Sequence, residues 1–89
     1  MPYTIDLTRQ AQRTLDRVDR PTRDRFLAAF EVLKENPNAG PNIVLLNKHP
    51  IATYRYRVGG WRILYRIEQS HLVVVIERID NRGDAYKNR

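Results

Sequence analysis

One sixteen-residue stretch, TYRYRVGGWRILYRIE at residues 53–68, constrains the fold more than any other part of the sequence. Two runs of alternating residues flank Gly59 and Gly60, which is the signature of a β-hairpin with a two-residue turn of positive φ. With those glycines in the turn, Val58 faces Trp61 and Arg57 faces Arg62 across the hairpin. The stretch therefore predicts two long antiparallel strands.

The predicted hairpin has two chemically different faces, because side chains alternate along a strand. One face carries apolar and aromatic residues: Tyr54, Tyr56, Val58, Trp61, Ile63 and Tyr65. The other carries four arginines: Arg55, Arg57, Arg62 and Arg66. Like charges placed opposite each other destabilise a hairpin by roughly a few tenths of a kcal/mol or more. Folding alone does not favour this pattern, and an external anion would explain it.

Each face also has a simpler interpretation. Arginine has a long apolar stem, and Glu68 or Glu77 could offset part of the charge, so the arginine face could be an ordinary solvent-facing surface. The aromatic row could stack on nucleic-acid bases. Its spacing also suits the core of a sheet covered by helices, and we favour this second interpretation.

The length and composition exclude several classes of protein. Eighty-nine residues predict one domain, residues 1–89, which is too short for a cofactor domain plus a substrate domain. The absence of cysteine excludes disulfides and thiolate zinc sites, and the two histidines lack nearby carboxylates, so neither a metal nor a cofactor is predicted. The N-terminus lacks signal-peptide features, and no apolar run approaches the roughly 20 residues of a spanning helix. We expect a cytoplasmic protein with no membrane partner.

The net charge of +6 is concentrated in the second part of the chain. Residues 1–36 hold seven basic and six acidic residues, whereas residues 37–89 hold nine and four. Such a basic region predicts a polyanionic partner, which could be RNA, DNA or an acidic protein, although basic charge can also serve solubility alone. Acidic residues interleave with the arginines of the predicted helices, so we interpret these arginines as ordinary surface residues. They are Arg9, Arg13, Arg17, Arg20, Arg23 and Arg25.

The first part of the chain predicts a strand and two helices. YTIDL alternates as a short strand, and Thr8 suits the N-cap of a helix whose apolar residues are spaced by four and three. Pro21 suits the start of a second helix, and ENPNAGPN ends it because residues before proline disfavour helical geometry. So short a link between the helices predicts a helical hairpin.

The remaining segments predict a sheet. NIVLL is compatible with a strand or an extended approach to one, and NKHPIA reads as a loop because of Pro50. A second tight turn is expected near Gln69 and Ser70, followed by LVVVIERI, which is apolar enough for an interior strand. The predicted fold class is α+β: an N-terminal strand, a helical hairpin, then a mostly antiparallel twisted sheet covered on one face by the two helices.

This order of elements, with YRYRVGGWRILYRIE and a closing RIDNRGDAY, resembles the RelE/ParE superfamily of bacterial toxins from toxin–antitoxin pairs. The resemblance covers nearly the whole chain. RelE-like members cut messenger RNA in the ribosomal A site without a metal, whereas ParE-like members poison DNA gyrase. The resemblance implies a toxin that forms a hetero-oligomer with a cognate antitoxin. The RelE-like branch, an endoribonuclease that contacts mRNA and ribosomal RNA, is favoured by Arg82 together with Tyr86.

The resemblance also implies roles for individual residues. Metal-free RNA cleavage needs a deprotonated 2′-hydroxyl, a compensated phosphorane charge and a protonated leaving oxygen, which cations and a phenol can support. The implied catalytic residues are Arg62 and Arg82 on the scissile phosphate, Tyr86 on a base, and Arg55. The implied RNA contacts are Arg57, Arg66, Lys48, Lys87 and Arg89. The general base stays open, because arginine is a poor proton acceptor, with His49 as one alternative.

Two further hypotheses remain at this point: a ParE-like gyrase inhibitor, and a degenerate member that binds only its antitoxin or nucleic acid. A geometric difficulty also remains for the nuclease. Simple alternation along the last strand does not bring Arg82 and Tyr86 to the arginine face, so a bend near Asn81 and Gly83 would be needed.

Overall fold

The computed structural model describes residues 2–81, which form two helices on one mixed sheet. The helices are α1 (Arg9–Arg17) and α2 (Arg20–Glu35), and the strands are β1 (Thr4–Leu7), β2 (Ile43–Leu45), β3 (Tyr54–Val58), β4 (Trp61–Glu68) and β5 (Val73–Asn81). The strand order is β1-β5-β4-β3-β2, with β1 parallel to β5 and the other neighbours antiparallel. The predicted fold class is confirmed, and β5 is an interior strand as expected.

The helical hairpin forms where the sequence predicts it. Thr8 caps α1, since its hydroxyl oxygen accepts a hydrogen bond from the Ala11 amide at 3.3 Å. Only Val18 and Asp19 separate the two helices, and Pro21 lies in the first turn of α2. Arg23 donates hydrogen bonds to carbonyl groups at the end of α1, including that of Leu15 at 3.1 Å. The interpretation of Arg23 as ordinary surface is therefore wrong, because it satisfies carbonyls that the helix end leaves free.

The core lies between the helices and the inner face of the sheet. Phe26 and Leu33 of α2 and Ile63 and Tyr65 of β4 are fully buried there. Trp61 is half-buried and meets Phe26 edge-to-face, with ring centroids 5.3 Å apart. The prediction that the aromatic face of the hairpin is core is confirmed.

Tyr65 shows how a phenol is accommodated in that core. Its ring stacks on Tyr54 with a centroid distance of 5.5 Å, and its hydroxyl donates to the Pro37 carbonyl at 2.7 Å. Burial raises the pKa of Tyr65 above its ordinary value. The residue is therefore a neutral hydrogen-bond donor that ties the hairpin to the loop after α2.

The β3–β4 turn has positive φ at one glycine rather than at both. Gly59 has a φ of 56°, and no such angle occurs at Gly60. This matches a turn that requires positive φ at its first central position. A Cβ at Gly59 would also collide with the guanidinium of Arg25, which lies over the turn. The interpretation of Arg25 as ordinary surface thus misses a packing contact.

A β-bulge on β5 changes which residues face outward. Ile63 pairs with Ile79 and Tyr65 with Ile76, so β5 has one extra residue between these pairs. Val74 and Ile76 point into the core before the extra residue, and Ile79 does so after it. The even-numbered residues after Glu77 therefore point to the outer face.

The bulge is fixed by the N-cap of α1. The Thr8 hydroxyl donates to the Glu77 carbonyl at 2.7 Å while its oxygen caps the helix. A bulge leaves backbone groups outside the ladder, and this hydrogen bond satisfies one of them. One side chain thus joins the start of α1 to the irregularity in β5.

Within residues 2–81, none of the helices is both long and apolar enough to cross a membrane.

Candidate anion-binding site on the outer sheet face

The arginine face is the side of the sheet away from the helices, and it includes Arg55, Arg57, Arg62 and Arg66. Arg57 and Arg62 are direct cross-strand partners, as the hairpin register predicts. Arg55 faces Leu64 of β4, while Arg66 lies beyond the paired part of β3 and faces Val75 of β5. The four arginines therefore share one face but do not form one uniform cluster.

Arg66 is compensated by two carboxylates. Its Nε lies 2.7 Å from Glu77 Oε2, and its Nη1 lies 2.8 Å from Glu68 Oε1. These hydrogen bonds raise the pKa of Arg66, and the Arg66 guanidinium lowers the pKa of Glu68. The expectation that Glu68 or Glu77 offsets part of the charge is confirmed for this arginine.

The other three arginines have no such compensation within residues 2–81. Arg55, Arg57 and Arg62 make no hydrogen bond or ion pair with any side chain of that part of the molecule. The Nε of Arg55 is shielded from solvent and lacks a hydrogen-bond partner among the described atoms. A buried guanidinium N–H without an acceptor is costly, which sets Arg55 apart from an arginine that is compensated within the fold, such as Arg66.

A pocket of about 170 Å³ lies beside two of these arginines. It is lined by Pro41, Asn42, Val44, Arg55 and Arg57. Arginine presents several donors in a planar fork that matches phosphate and carboxylate oxygens. Two such forks beside one polar pocket can bind an oxyanion such as a backbone phosphate of RNA.

Asp80 is a residue of this site that the sequence pattern did not reveal. It lies opposite Arg62 in the β4–β5 pairing, and its Oδ1 is 3.2 Å from Nη2 of Arg78. Arg57, Arg62 and Asp80 thus form one row across three neighbouring strands. Unbroken alternation from Val74 would turn Asp80 toward the core, so the β-bulge at Glu77 is what brings it to the arginine face.

The remaining predicted residues fall into two groups. Lys48 is exposed in the loop between β2 and β3, with a φ of 62°. Four lie outside the described residues: Arg82, Tyr86, Lys87 and Arg89. The structure therefore brings Arg55, Arg57 and Arg62 together. Arg66 lies on the same face but differs from them because it is engaged in ion pairs.

His49 has a structural role that competes with proton transfer. Its Nδ1 accepts hydrogen bonds from the amides of Ile51 and Ala52, at 3.3 and 3.1 Å. Protonation of that nitrogen would break both bonds, which hold the turn before β3. In the part of the chain spanning residues 2–81, no group of three or more His, Asp and Glu residues is placed to hold a metal ion.

Comparison with known proteins places this architecture in a family. The sequence pattern of the ParE toxin of type II toxin–antitoxin systems (parDE) matches residues 5–86. The Mycobacterium tuberculosis toxin RelG is 34% identical over 93 aligned residues, which cover 98% of this chain and 99% of that protein.

Solved structures agree with the sequence matches. In the toxin–antitoxin complex RelBE2 from M. tuberculosis, one chain is 33% identical with a TM-score of 0.79, and the match covers 94% of this chain and 95% of that one. The archaeal RelE–RelB complex from Pyrococcus horikoshii shares the fold at 23% identity and a TM-score of 0.79, covering 93% and 98% of the two chains. The chain therefore belongs to the ParE toxin family of type II toxin–antitoxin systems, within the RelE/ParE superfamily.

Proposed function

We propose that this toxin is a metal-independent, ribosome-dependent endoribonuclease that cuts mRNA in the A site and so inhibits translation. The observation that carries the proposal is the contrast within the arginine face. Arg66 is compensated by two glutamates, whereas Arg55, Arg57 and Arg62 have no acidic hydrogen-bond partner among residues 2–81. Uncompensated guanidinium groups on a folded surface suit a polyanion such as RNA.

The geometry suggests how the work is divided between the arginines. Arg62 lies in the centre of the row, between Arg57 and Asp80, and would contact the scissile phosphate as charge develops on it. Arg55 and Arg57 line the adjacent polar pocket and would hold a neighbouring phosphate. Arg66 would act mainly as a structural ion pair, with a minor RNA contact.

Arg82 and Tyr86 complete the proposed catalytic group. Arg82 follows Asp80 by two residues, and Asp80 points to the arginine face because of the bulge at Glu77. We propose that Arg82 joins Arg62 on the phosphate and that Tyr86 stacks on or orients a base. Lys48, Lys87 and Arg89 would add nonspecific phosphate contacts.

A cognate antitoxin is the proposed partner that holds the toxin inactive. The solved relatives from M. tuberculosis and P. horikoshii are toxin–antitoxin complexes. An antitoxin segment with acidic side chains could compete with RNA for the uncompensated arginines.

Primer extension on a message translated in the presence of the toxin tests the proposal. We expect new 3′ ends at A-site codons, and we expect them to persist when preassembled ribosomes are treated with enough EDTA to bind free divalent metal. Cleavage of naked RNA at the same rate, or cleavage that EDTA abolishes on intact ribosomes, would contradict the assignment.

The second candidate is a gyrase inhibitor, which the match to the ParE toxin family favours. A supercoiling assay with purified gyrase separates the two activities. A variant with alanine at Arg62 and Arg82 and phenylalanine at Tyr86 should lose growth arrest if the toxin is a nuclease. Full growth arrest by that variant, with inhibition of gyrase, would establish the second candidate instead.

A further inference from the structure

A further arginine, Arg78, lies on the outer face of the sheet. It is the direct partner of Leu64 in the β4–β5 pairing, and Leu64 in turn faces Arg55 of β3. Arg78 is exposed, and its place on this face follows from the β-bulge, because the even-numbered residues after Glu77 point outward. The outer face therefore has a second row across three strands, formed by Arg55, Leu64 and Arg78.

This second row lies directly beside the row of Arg57, Arg62 and Asp80. Each of its residues is two positions from a residue of the first row on the same strand, so the rows are roughly 7 Å apart. This separation is comparable with the spacing of successive phosphates along an extended nucleic-acid strand. The two rows together hold four arginines, one leucine and one aspartate, and they form a two-row patch.

Asp80 is the acidic member of the two-row patch, and it contacts Arg78 rather than its cross-strand partner. Its Oδ1 lies 3.2 Å from Nη2 of Arg78, whereas within residues 2–81 it forms no ion pair with Arg62. Leu64, the cross-strand partner of Arg78, offers no side-chain acceptor. Arg78 thus holds a carboxylate of the fold at the position where it would contact a phosphate.

The ion pair of Arg78 is easier to displace than those of Arg66. The side chains of Arg78 and Asp80 are 49% and 31% exposed, and one contact at 3.2 Å joins them. Arg66 instead engages two glutamates, at 2.7 and 2.8 Å. Exposed ion pairs contribute little to stability, and a phosphate offers a guanidinium two parallel hydrogen bonds. A phosphate can therefore replace the Asp80 carboxylate on Arg78.

We propose that Asp80 is an internal competitor for RNA on the arginine face. Its carboxylate occupies Arg78 in the free toxin, a phosphate of single-stranded RNA displaces it, and Arg78 then becomes a further phosphate contact beside Arg55. The displaced carboxylate and the phosphate repel each other, which lowers the affinity for free RNA.

This competition favours message that the ribosome already holds. Such a message has a high effective concentration at the toxin, so it binds despite the repulsion from Asp80, whereas free RNA does not. The inference rests on the proposed RNA-binding function of the arginine face. It adds a residue that restricts this face to positioned RNA.

Asp6 provides a matched control on the same side of the sheet. It is exposed on β1 between Ile5 and Leu7, which pack on the core, and it faces Val75 of β5. Asp6 forms no ion pair within residues 2–81. Asp6→Asn and Asp80→Asn therefore raise the net charge equally, but only Asp80→Asn releases an arginine.

The experiment measures the affinity of purified toxin for a short fluorescein-labelled RNA, by anisotropy over a range of salt concentrations. The RNA carries 2′-O-methyl groups, so it cannot be cut. Asp80→Asn should tighten binding about fivefold at low salt and steepen the logarithmic salt dependence by at most about 0.7, the slope of one phosphate contact on a single strand. Asp6→Asn should change the affinity less than about twofold. Equal tightening by both variants, or unchanged or weaker binding in Asp80→Asn, would overturn the proposal.

Arg78→Ala tests whether Asp80 acts through this arginine. In that background Asp80→Asn has no guanidinium to release, so the steeper salt dependence should disappear. An undiminished gain in affinity and slope would contradict the displacement. Urea denaturation establishes that each variant is folded, and Asp80→Ser serves as a second neutral variant that should also tighten binding.

The binding measurement does not depend on nuclease activity. Tighter binding in Asp80→Asn, with no A-site cleavage by the native toxin, would retain Asp80 as a competitor and reject the nuclease. Unchanged binding in Asp80→Asn, with A-site cleavage by the native toxin, would do the opposite.

Discussion

The two ends of β4 on the outer face use arginine in opposite ways. At one end, Arg66 lies within 2.8 Å of both Glu68 and Glu77, so its charge is compensated within the fold. At the other end, Arg62 lies opposite Arg57, and no carboxylate of residues 2–81 hydrogen-bonds either guanidinium. A structural arginine thus lies four positions along the same strand from one that is available to a ligand.

This difference teaches that residue type and face alone do not identify a binding site. Both arginines alternate in the same sequence pattern and point to the same side of the sheet. The acidic partners decide their roles, and Glu77 lies on the side of Arg66 by simple alternation, at the bulge that the Thr8 hydroxyl contacts. The same bulge turns Asp80 to the face of Arg62, where Arg78 engages it.

The largest expected effect is a difference in A-site cleavage between the Arg62→Ala and Arg66→Ala variants. Loss of a contact to transition-state charge should reduce cleavage about 10²-fold or more for Arg62→Ala. Arg66→Ala should reduce it no more than about threefold, because this guanidinium is already engaged by two glutamates. Primer extension quantifies both variants on the same ribosomes. A comparable loss in both would show that the outer face acts as one uniform cluster.

The second prediction contrasts the inner and outer faces of the hairpin. Trp61→Ala removes a half-buried ring from the edge of Phe26 and should lower the free energy of unfolding by about 2–3 kcal/mol. Arg62→Ala should leave it nearly unchanged, because Arg62 makes no ion pair with residues 2–81. Urea denaturation measures both. Equal destabilisation would mean that Arg62 is a structural residue.

The sequence predicts the hairpin well, because its information is local. A glycine pair fixes the turn, and the turn fixes the register that opposes Arg57 and Arg62. The capping role of Thr8 and the helical hairpin follow from similarly short-range signals. These elements require no knowledge of which distant strands pair.

The sequence names Glu68 and Glu77 as possible partners of the arginines but does not show which arginine they compensate, because part of this arrangement depends on contacts between distant residues. Arg66 meets Glu77 eleven residues away, and Thr8 meets Glu77 across 69 residues. No glycine marks the β-bulge, since Glu77 and Arg78 occupy it at the end of an apolar run. The bend predicted near Asn81 and Gly83 falls at the limit of the described residues and stays a prediction, whereas the irregularity that the structure describes lies between the pairs of Leu64 and Tyr65.

Thr8→Val tests whether the N-cap hydroxyl maintains that bulge. The substitution keeps the shape of the side chain but removes the cap of α1 and the donor to the Glu77 carbonyl. We expect the free energy of unfolding to fall by about 1–2 kcal/mol in Thr8→Val, and Thr8→Ser should restore most of this loss. Urea denaturation of both variants measures this. The Glu77 amide should also show faster hydrogen exchange in Thr8→Val, and unchanged exchange there would mean that the bulge holds without Thr8.

The smallest expected effect is on the thermal stability of the protein at acid pH. It involves Arg66, whose charge is compensated near the end of β4. Arg66 lowers the pKa of Glu68 below its ordinary value of 4.5, mainly through their hydrogen bond. A carboxyl with a depressed pKa in the folded state contributes stability above 4.5, and this contribution is lost as the pH falls through the depressed value. Arg66→Ala should therefore flatten the fall in melting temperature below about pH 4.5, whereas Arg62→Ala should leave its slope unchanged. Because Glu68 is at the surface, the same flattening should occur in native protein at high salt. An identical acid slope in native protein and Arg66→Ala would show that Glu68 gains nothing from this ion pair.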